Sequence, residues 1–226
     1  MPPKAQNYWL TTVDMPVVDS VPLPESVDIA IIGAGFTGLS AARTLAKRGA
    51  TVAVLESESI GWGASSRNGG MVLTGMKLGV SQLISKYGHE RTRQMYAASL
   101  ATIDCVEAIV NEERIDCDFA RTGHLEVACK RKHFDDYARQ AEVIAREFNH
   151  EMRVIERPDL PAEIGSNIYF GGMIDETSAG LNPARYVSGL ARGALRAGAR
   201  IFEAAKVQTI ERATTGSAPG WRISTS

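Results

Sequence analysis

Two glycine-rich stretches hold the residue types best able to do chemistry. The first is Gly33-Ala34-Gly35-Phe36-Thr37-Gly38, a G-x-G-x-x-G pattern. In a strand–turn–helix setting its first glycine allows a tight turn. The second, lacking a side chain, lets a pyrophosphate approach the backbone, and the third lets helix and strand pack closely. The helix that follows would offer free N–H groups and a positive dipole end to the phosphates. Glu56 lies close to the ~20-residue offset of the ribose-binding acid in such units. A carboxylate there accepts hydrogen bonds from ribose hydroxyls and repels a 2′-phosphate. Its neighbours Ser57, Glu58 and Ser59 include no arginine to hold that phosphate. NADP is therefore disfavoured, and FAD and NAD both remain open.

The second stretch, IGWGASSRNGGMV from Ile60 to Val72, bears on that choice. Ser65 and Ser66 can donate to phosphate or ribitol oxygens. Arg67 can pair with a phosphate or lie against a ring. Gly69 and Gly70 let backbone N–H groups come close to a flat cofactor. The competing reading is a flexible linker, against which Trp62, Arg67 and Met71-Val72, a pair expected to be buried, speak.

These residues need elements to position them. Asp28–Ile32 and Thr51–Leu55 are short, apolar and β-branched, as expected of strands buried on both faces. Leu39–Lys47 between them is helical, with Ala42 and Leu45 on its docking side and Arg43, Lys47 and Arg48 elsewhere; Gly49 stops it. This is a βαβ unit. Further on, VSQLISKYG predicts a helix capped by Ser81 and stopped by Gly88. The run from His89 to Glu113 predicts a longer one, with Leu100, Ile103, Val106 and Val110 on its apolar face. IDCDFARTGHLEVAC predicts strands around a Thr122-Gly123 turn. Phe134, Tyr137, Ala141, Ile144 and Phe148 mark an amphipathic helix. Residues 156–180 are expected to be loops and edge strands. Asn182 and Pro183 start another helix, with Val187, Leu190, Ala191 and Ala194 inward and Gly198 at its end. A strand at Ile201–Phe202 follows, and KVQTIER and GWRISTS predict two strands of a hairpin or meander. The five prolines within residues 1–25 predict an extended arm, lying on the surface or partly disordered.

Composition sets outer bounds. The chain has 226 residues, 44% hydrophobic, and its 25 Lys and Arg nearly balance 26 Asp and Glu. That balance gives no electrostatic reason to expect nucleic acid or an anionic membrane as partner. No run approaches the ~20 apolar residues of a membrane span, and the first residues lack the pattern of a secretory signal. Cys105, Cys117 and Cys129 form no CxxC pair, which suits reduced thiols and a cytoplasmic location. No motif has metal-ligand spacing, so no metal site is expected.

With these residues in view, the chain resembles the FAD-dependent amine and amino-acid oxidoreductases of the D-amino-acid oxidase superfamily, and most of all their γ-glutamylputrescine oxidase-like branch. The likeness rests on DIAIIGAGFTGLSAARTLAKRGATVAVLES, IGWGASSRNGG, RIDCDFARTGHLEVA and GLNPARYVSGLARGALRAGARIFE with KVQTIE after it. It implies an α/β fold in which a Rossmann-like FAD domain (26–115 and 177–226) is interleaved with an α+β substrate domain (116–176). The candidate cofactor-binding residues are then Gly33, Gly35, Phe36, Thr37, Gly38, Glu56, Ser57, Ala64, Ser65, Ser66, Arg67, Asn68, Gly69, Gly70 and Val207, the last by its backbone near the adenine. The implied reaction oxidises the C–N bond of a small amine or amino acid by hydride transfer to flavin N5. Water then hydrolyses the imine, and O2 or another acceptor takes the electrons. No catalytic side chain is assigned; His124 and Tyr169 are polar groups that could face the flavin. Some relatives attach FAD through a histidine in the glycine-rich stretch. None of the four histidines here lies in it, so non-covalent FAD is expected. Relatives also run further, so the chain resembles an N-terminal part whose fold the rest of the enzyme or a partner chain would complete. The alternatives to an FAD enzyme are an NAD-dependent dehydrogenase and a non-catalytic nucleotide-binding fragment.

Overall fold

The computed structural model describes residues 7–18, 21–215 and 218–226; the remainder of the expected arm and the tip of the last hairpin lie outside them. The chain divides by packing into two units. One comprises the chain through Gly69, Ile109–Cys117 and Asn182 onward; the other comprises Gly70–Ala108 and Asp118–Leu181. The sequence reading groups 70–108 with the nucleotide unit, whereas that segment packs within the second unit. The reason is visible in the helix His89–Glu113 (α3). Its Tyr96 ring stacks on Phe148 at 4.0 Å between centroids, inside the second unit. Its buried residues are Thr92, Tyr96, Ser99 and Ile103; of the expected stripe Ile103 is buried, and Leu100, Val106 and Val110 are half-buried.

In the first unit, β1 (Ile29–Ile32), β2 (Val52–Leu55) and β8 (Arg200–Phe202) form a parallel sheet in the order β1-β2-β8. Helix α1 (Phe36–Lys47) links β1 to β2, as the sequence predicts. Central β2 is buried throughout. Among the described residues β1 pairs with β2 alone and is an edge strand; it is not buried on both faces, since alternate side chains are exposed and Ile32 is 54% so. Helix α6 (Pro183–Arg196) packs against α1 through small side chains, with Ala42 of α1 and Ala184, Leu190, Ala191 and Ala194 of α6 fully buried. β9 (Val207–Thr215) and β10 (Ala218–Thr225) form the expected antiparallel hairpin.

Arg43 does not face solvent. It is 5% exposed, with Nε 2.5 Å from Glu113 and its guanidinium also on Glu112. Lys47 and Arg196 reach the same Glu113 carboxylate at 2.9 and 2.5 Å. Burial would raise the Glu113 pKa, but the hydrogen bonds from Lys47, Arg43 and Arg196 outweigh it and hold the group at about 2. A folded value below the unfolded one adds stability above about pH 4.5, lost as pH falls toward 2.

Asn182 caps α6 as expected: its Oδ1 accepts from the Ala184 and Arg185 N–H groups at 3.1 Å each. Its amide also donates to Thr12 Oγ1 at 2.9 Å. Asn182→Ala should destabilise the chain by about 1 kcal/mol, the usual cost of a lost N-cap. Thermal unfolding checks this, and an unchanged midpoint would show that the cap carries no weight.

In the second unit, β4 (His124–Val127), β6 (Gly171–Asp175) and β5 (Arg153–Glu156) form an antiparallel sheet in the order β4-β6-β5. β6 is a fully buried central strand, where the sequence suggests loops and edges. Its glycines explain both facts. A Cβ on Gly171 would run into the Phe134 ring, and one on Gly172 would lie 2.7 Å from Leu125. They are there for close approach, and they hide the strand from a β-branched signature. Helix α4 (Arg131–Phe148) buries Phe134, Tyr137 and Ile144 as its pattern predicts. A short helix α5 (Leu160–Ile164) stands where a loop is expected. Helix α2 (Val80–Tyr87) is capped by Gly79 and not by Ser81, and ends at Gly88. Strands β3 (Met71–Val72) and β7 (Ala179–Gly180) pair with each other, yet Met71 is 61% exposed and not buried as expected, its backbone and not its side chain being held. Before β4 the expected strand reduces to one bridge, Ala120 to Gly180. Among the described residues no helix is long and apolar enough to cross a membrane.

Candidate cofactor site

The G-x-G-x-x-G turn sits at the end of β1 and runs into α1. Gly33 has φ +97 and donates its N–H to Leu55 O at 2.8 Å, a turn that any side chain would strain. A Cβ on Gly38 would strike the Gly33 carbonyl oxygen, so helix and strand touch through bare backbone. Gly35 is the N-cap of α1 and offers no side-chain cap. The orphan N–H of Phe36 instead donates to Ser65 Oγ at 2.9 Å, a contact between the two glycine-rich stretches. A Cβ on Gly35 would lie 2.8 Å from that same oxygen. Thr37 follows in the first helical turn, and the Phe36 ring lies 5.3 Å from that of Tyr186 on α6.

Glu56, just past β2, points its carboxylate back at this turn. Its Oε2 accepts from Ala34 N–H at 2.7 Å, and its Oε1 from Glu58 N–H at 3.0 Å and Ser57 Oγ at 3.3 Å. Val207 opens β9 and packs against Ala53, Leu55, Phe202 and Ala205 at the same end of the sheet.

The second stretch is not a loose linker. Gly61 N–H donates to Ala34 O at 3.0 Å, and a Cβ on Gly61 would lie 2.7 Å from Val187 of α6. Ala64–Ser66 form a single 3-10 turn. Its two serines take different parts. Ser65 reaches the helix end, whereas Ser66 is fully buried and donates to Gly61 O at 2.7 Å. Ser66 thus folds the loop and offers no proton outward. Arg67 spreads over the exposed Trp62 ring at 4.5 Å and donates from Nε to Trp62 O. Asn68 Nδ2 donates to Ala64 O at 3.0 Å. Gly69 is exposed; Gly70, at φ +70 in the second unit, accepts from Leu181 N–H.

These features fit a dinucleotide pyrophosphate. The helix N-terminus is free of an acidic residue, the approach has no Cβ at position 35, and a hydroxyl and a carboxylate flank it. A parallel βαβ unit with this cradle defines a dinucleotide-binding domain. The chain belongs to the DAO family of FAD-dependent oxidoreductases, whose sequence profile matches residues 28–226. This is the family that the motifs suggest, and its cofactor, FAD, closes the NAD alternative left open by the fingerprint.

Among curated relatives, a probable oxidoreductase OrdL of Haemophilus influenzae is 35% identical over 184 residues, 81% of this chain and 42% of the relative. A gamma-glutamylputrescine oxidoreductase of Escherichia coli is 30% identical over 194 residues, 85% of this chain and 45% of the relative. The chain thus spans less than half the length of these two proteins. Among solved structures, glycine oxidase from Geobacillus kaustophilus matches with a TM-score of 0.66 at 24% identity, covering 82% of this chain and 48% of that one. L-Amino acid deaminase from Proteus myxofaciens matches with a TM-score of 0.72 at 20% identity, covering 88% and 43%. At these identities the likeness is one of fold.

The second unit holds a pocket of about 170 Å³ lined by Leu73, Thr74, His124, Glu126, Met152, Met173, Asp175 and Ser178. His124 reaches it from β4. Tyr169 does not line it and packs on the Ile155, Leu160 and Ile174 cluster. The pocket-lining Asp175 pairs with His150 at 2.9 Å, each of them 5% exposed. The sequence reading misses both. A histidine and an aspartate far apart in the chain carry no periodicity, and only β6 as a strand would have brought Asp175 to view.

Proposed function

We propose that this chain supplies the FAD cradle, and part of the substrate-binding unit, of an enzyme that oxidises the C–N bond of a small amine or amino acid. The observation that carries the reading is the contact of the two glycine-rich stretches, Ser65 Oγ on the Phe36 N–H. It makes one site of two motifs. Gly33, Gly35 and Gly38 leave the backbone open to the pyrophosphate at the α1 N-terminus. Thr37 in the first turn and Ser57 and Ala64 beside the carboxylate and hydroxyl line the same cradle. Glu56 accepts from the adenosine ribose, and the Val207 backbone lies by the adenine. Ser65, Arg67, Asn68, Gly69 and Gly70 attend the phosphate, ribitol and ring; Ser66 shapes their loop. When bound, FAD supplies a hydride acceptor for the substrate α-carbon. Water then hydrolyses the imine, and dioxygen takes the electrons. The second unit, with its pocket of thioether walls and His124 and Glu126, belongs to the substrate side. Relatives named for glycine, L-amino acids and gamma-glutamylputrescine fit this class.

Titration of the purified chain with FAD, followed by flavin fluorescence, tests the reading. Saturable quenching is expected, with NAD at the same concentrations producing none. None of the four histidines lies in the second glycine-rich stretch, so denaturation should release the flavin intact. Saturable binding of NAD beside no response to FAD would overturn the proposal.

A further inference from the structure

The family profile begins at residue 28, yet the segment before it does not lie idle. Asn7 Nδ2 donates to Ser66 O at 2.9 Å and to Ser66 Oγ at 2.8 Å. Trp9 Nε1 donates to Asn68 O at 2.8 Å. The two residues on either side of Arg67 are thus tied down from outside by side chains beyond the family profile. The donor logic is consistent. The single hydroxyl proton of Ser66 goes to Gly61 O, so that oxygen needs a donor, and Asn7 supplies one while its Oδ1 accepts from Trp9 N–H at 3.1 Å. The segment is anchored further along as well. Arg185 Nε and Arg192 of α6 donate to Thr12 O and Asp14 O at 3.3 and 2.9 Å. The 3-10 turn Trp9–Thr12 and the Ala64–Ser66 turn both pack on α6.

We infer that residues 7–14 are a strap that positions the second glycine-rich loop, with Asn7 and Trp9 as positioning residues for the FAD cradle. Ser65 meets the α1 N-terminus, and the strap holds Ser66 and Asn68, the next residue and the one two beyond it. Loosening the strap frees Ser65 from the helix end without touching any residue of the G-x-G-x-x-G turn. The inference rests on the proposed FAD function for one of its two readouts only.

The test compares Asn7→Ala, Trp9→Phe and their double variant with a control in the same segment, Val17→Ala, whose side chain is 92% exposed. The first readout is amide hydrogen exchange of residues 64–69 in the cofactor-free chain. Exchange should quicken there in the double variant and not in the control. The second is FAD affinity, expected to weaken by about tenfold for each donor removed. A role confined to general stability would lower the unfolding midpoint while leaving both readouts as in the wild type. Wild-type exchange at 64–69 overturns the strap, whatever FAD does. Faster exchange with unaltered FAD affinity overturns the positioning role. A wild-type chain that takes up no FAD overturns the proposed function, and the exchange readout still decides the strap. Trp9→Phe keeps an aromatic side chain while losing the five-membered ring that carries the N–H, so it is the milder change and stands in if the double variant does not fold.

Discussion

Gly38→Ala is expected to cost the first unit about 3 kcal/mol and to abolish FAD binding at micromolar concentrations. Two opposing terms decide the sign. Position 38 lies inside α1, where alanine is the better helix former by up to about 1 kcal/mol. Against this, the new Cβ would strike the Gly33 carbonyl oxygen and come within 3.2 Å of Ile31 Cγ2. A flexible side chain could swing away, but Gly33 O belongs to the turn itself. Either α1 lifts from β1 or the turn changes shape, and overpacking of this kind costs about 1–3 kcal/mol or more. The clash therefore outweighs the propensity gain. The same displacement moves the α1 N-terminus away from Ser65 and Glu56, so cofactor affinity should fall more steeply than stability. Gly63→Ala, where a Cβ meets only open space, is the control. Thermal unfolding and FAD titration read both effects. A Gly38→Ala chain that melts at or above the wild-type midpoint would show that α1 and β1 are not held in contact at this point.

The comparison of sequence and structure turns on which signals are local. The βαβ unit, the α6 cap at Asn182 and the hairpin are legible because each is specified by neighbours in the chain: a periodicity, a turn residue, a capping side chain. The two glycine stretches are legible as chemistry, and their joining at Phe36 and Ser65 follows once both are read as one site. Arg43 is misread because a guanidinium on an amphipathic helix usually faces water. Its burial depends on Glu113 and Glu112, which the helix pattern of α1 cannot reveal. β6 is missed because its glycines remove the β-branched signature that buried strands ordinarily carry. Residues 7–14 look like a loose arm because their partners, Ser66, Asn68 and α6, lie some sixty to one hundred and eighty residues away. In each case the missing information is a long-range partner, and only tertiary packing supplies it.

Asp175→Asn is expected to destabilise the second unit by roughly 3 kcal/mol at neutral pH, and by progressively less as pH falls from 4 toward 2. The Asp175 carboxylate ends β6 and is committed on both oxygens. Oδ1 meets His150 Nε2 at 2.9 Å and accepts from Thr177 N–H at 3.0 Å. Oδ2 accepts from Thr74 Oγ1 at 2.5 Å and Ser178 Oγ at 2.8 Å. Asparagine keeps the size and one acceptor. Its amide must then face either the Thr177 N–H, which cannot turn away, or two hydroxyls that must rotate to accept. The charge opposite buried His150 is also lost, and that imidazole packs at right angles to the Tyr96 ring, 5.8 Å between centroids. The pH dependence follows from the carboxyl's own titration. Burial pushes its pKa up, but the hydrogen bonds from His150, Thr74, Ser178 and Thr177 prevail and hold it well below the usual carboxylate range. A group with a depressed folded pKa stabilises above its unfolded value, 3.8 here, and that contribution is lost as pH falls further. The wild-type midpoint should therefore drop toward that of the variant between about pH 4 and pH 2. Thr74 and Ser178 also line the pocket, so the same substitution should loosen its walls while leaving the FAD cradle of the first unit intact. Equal melting of the two proteins at pH 7, or a gap that stays constant down to pH 3, would show that Asp175 does not hold this part of the fold as an anion.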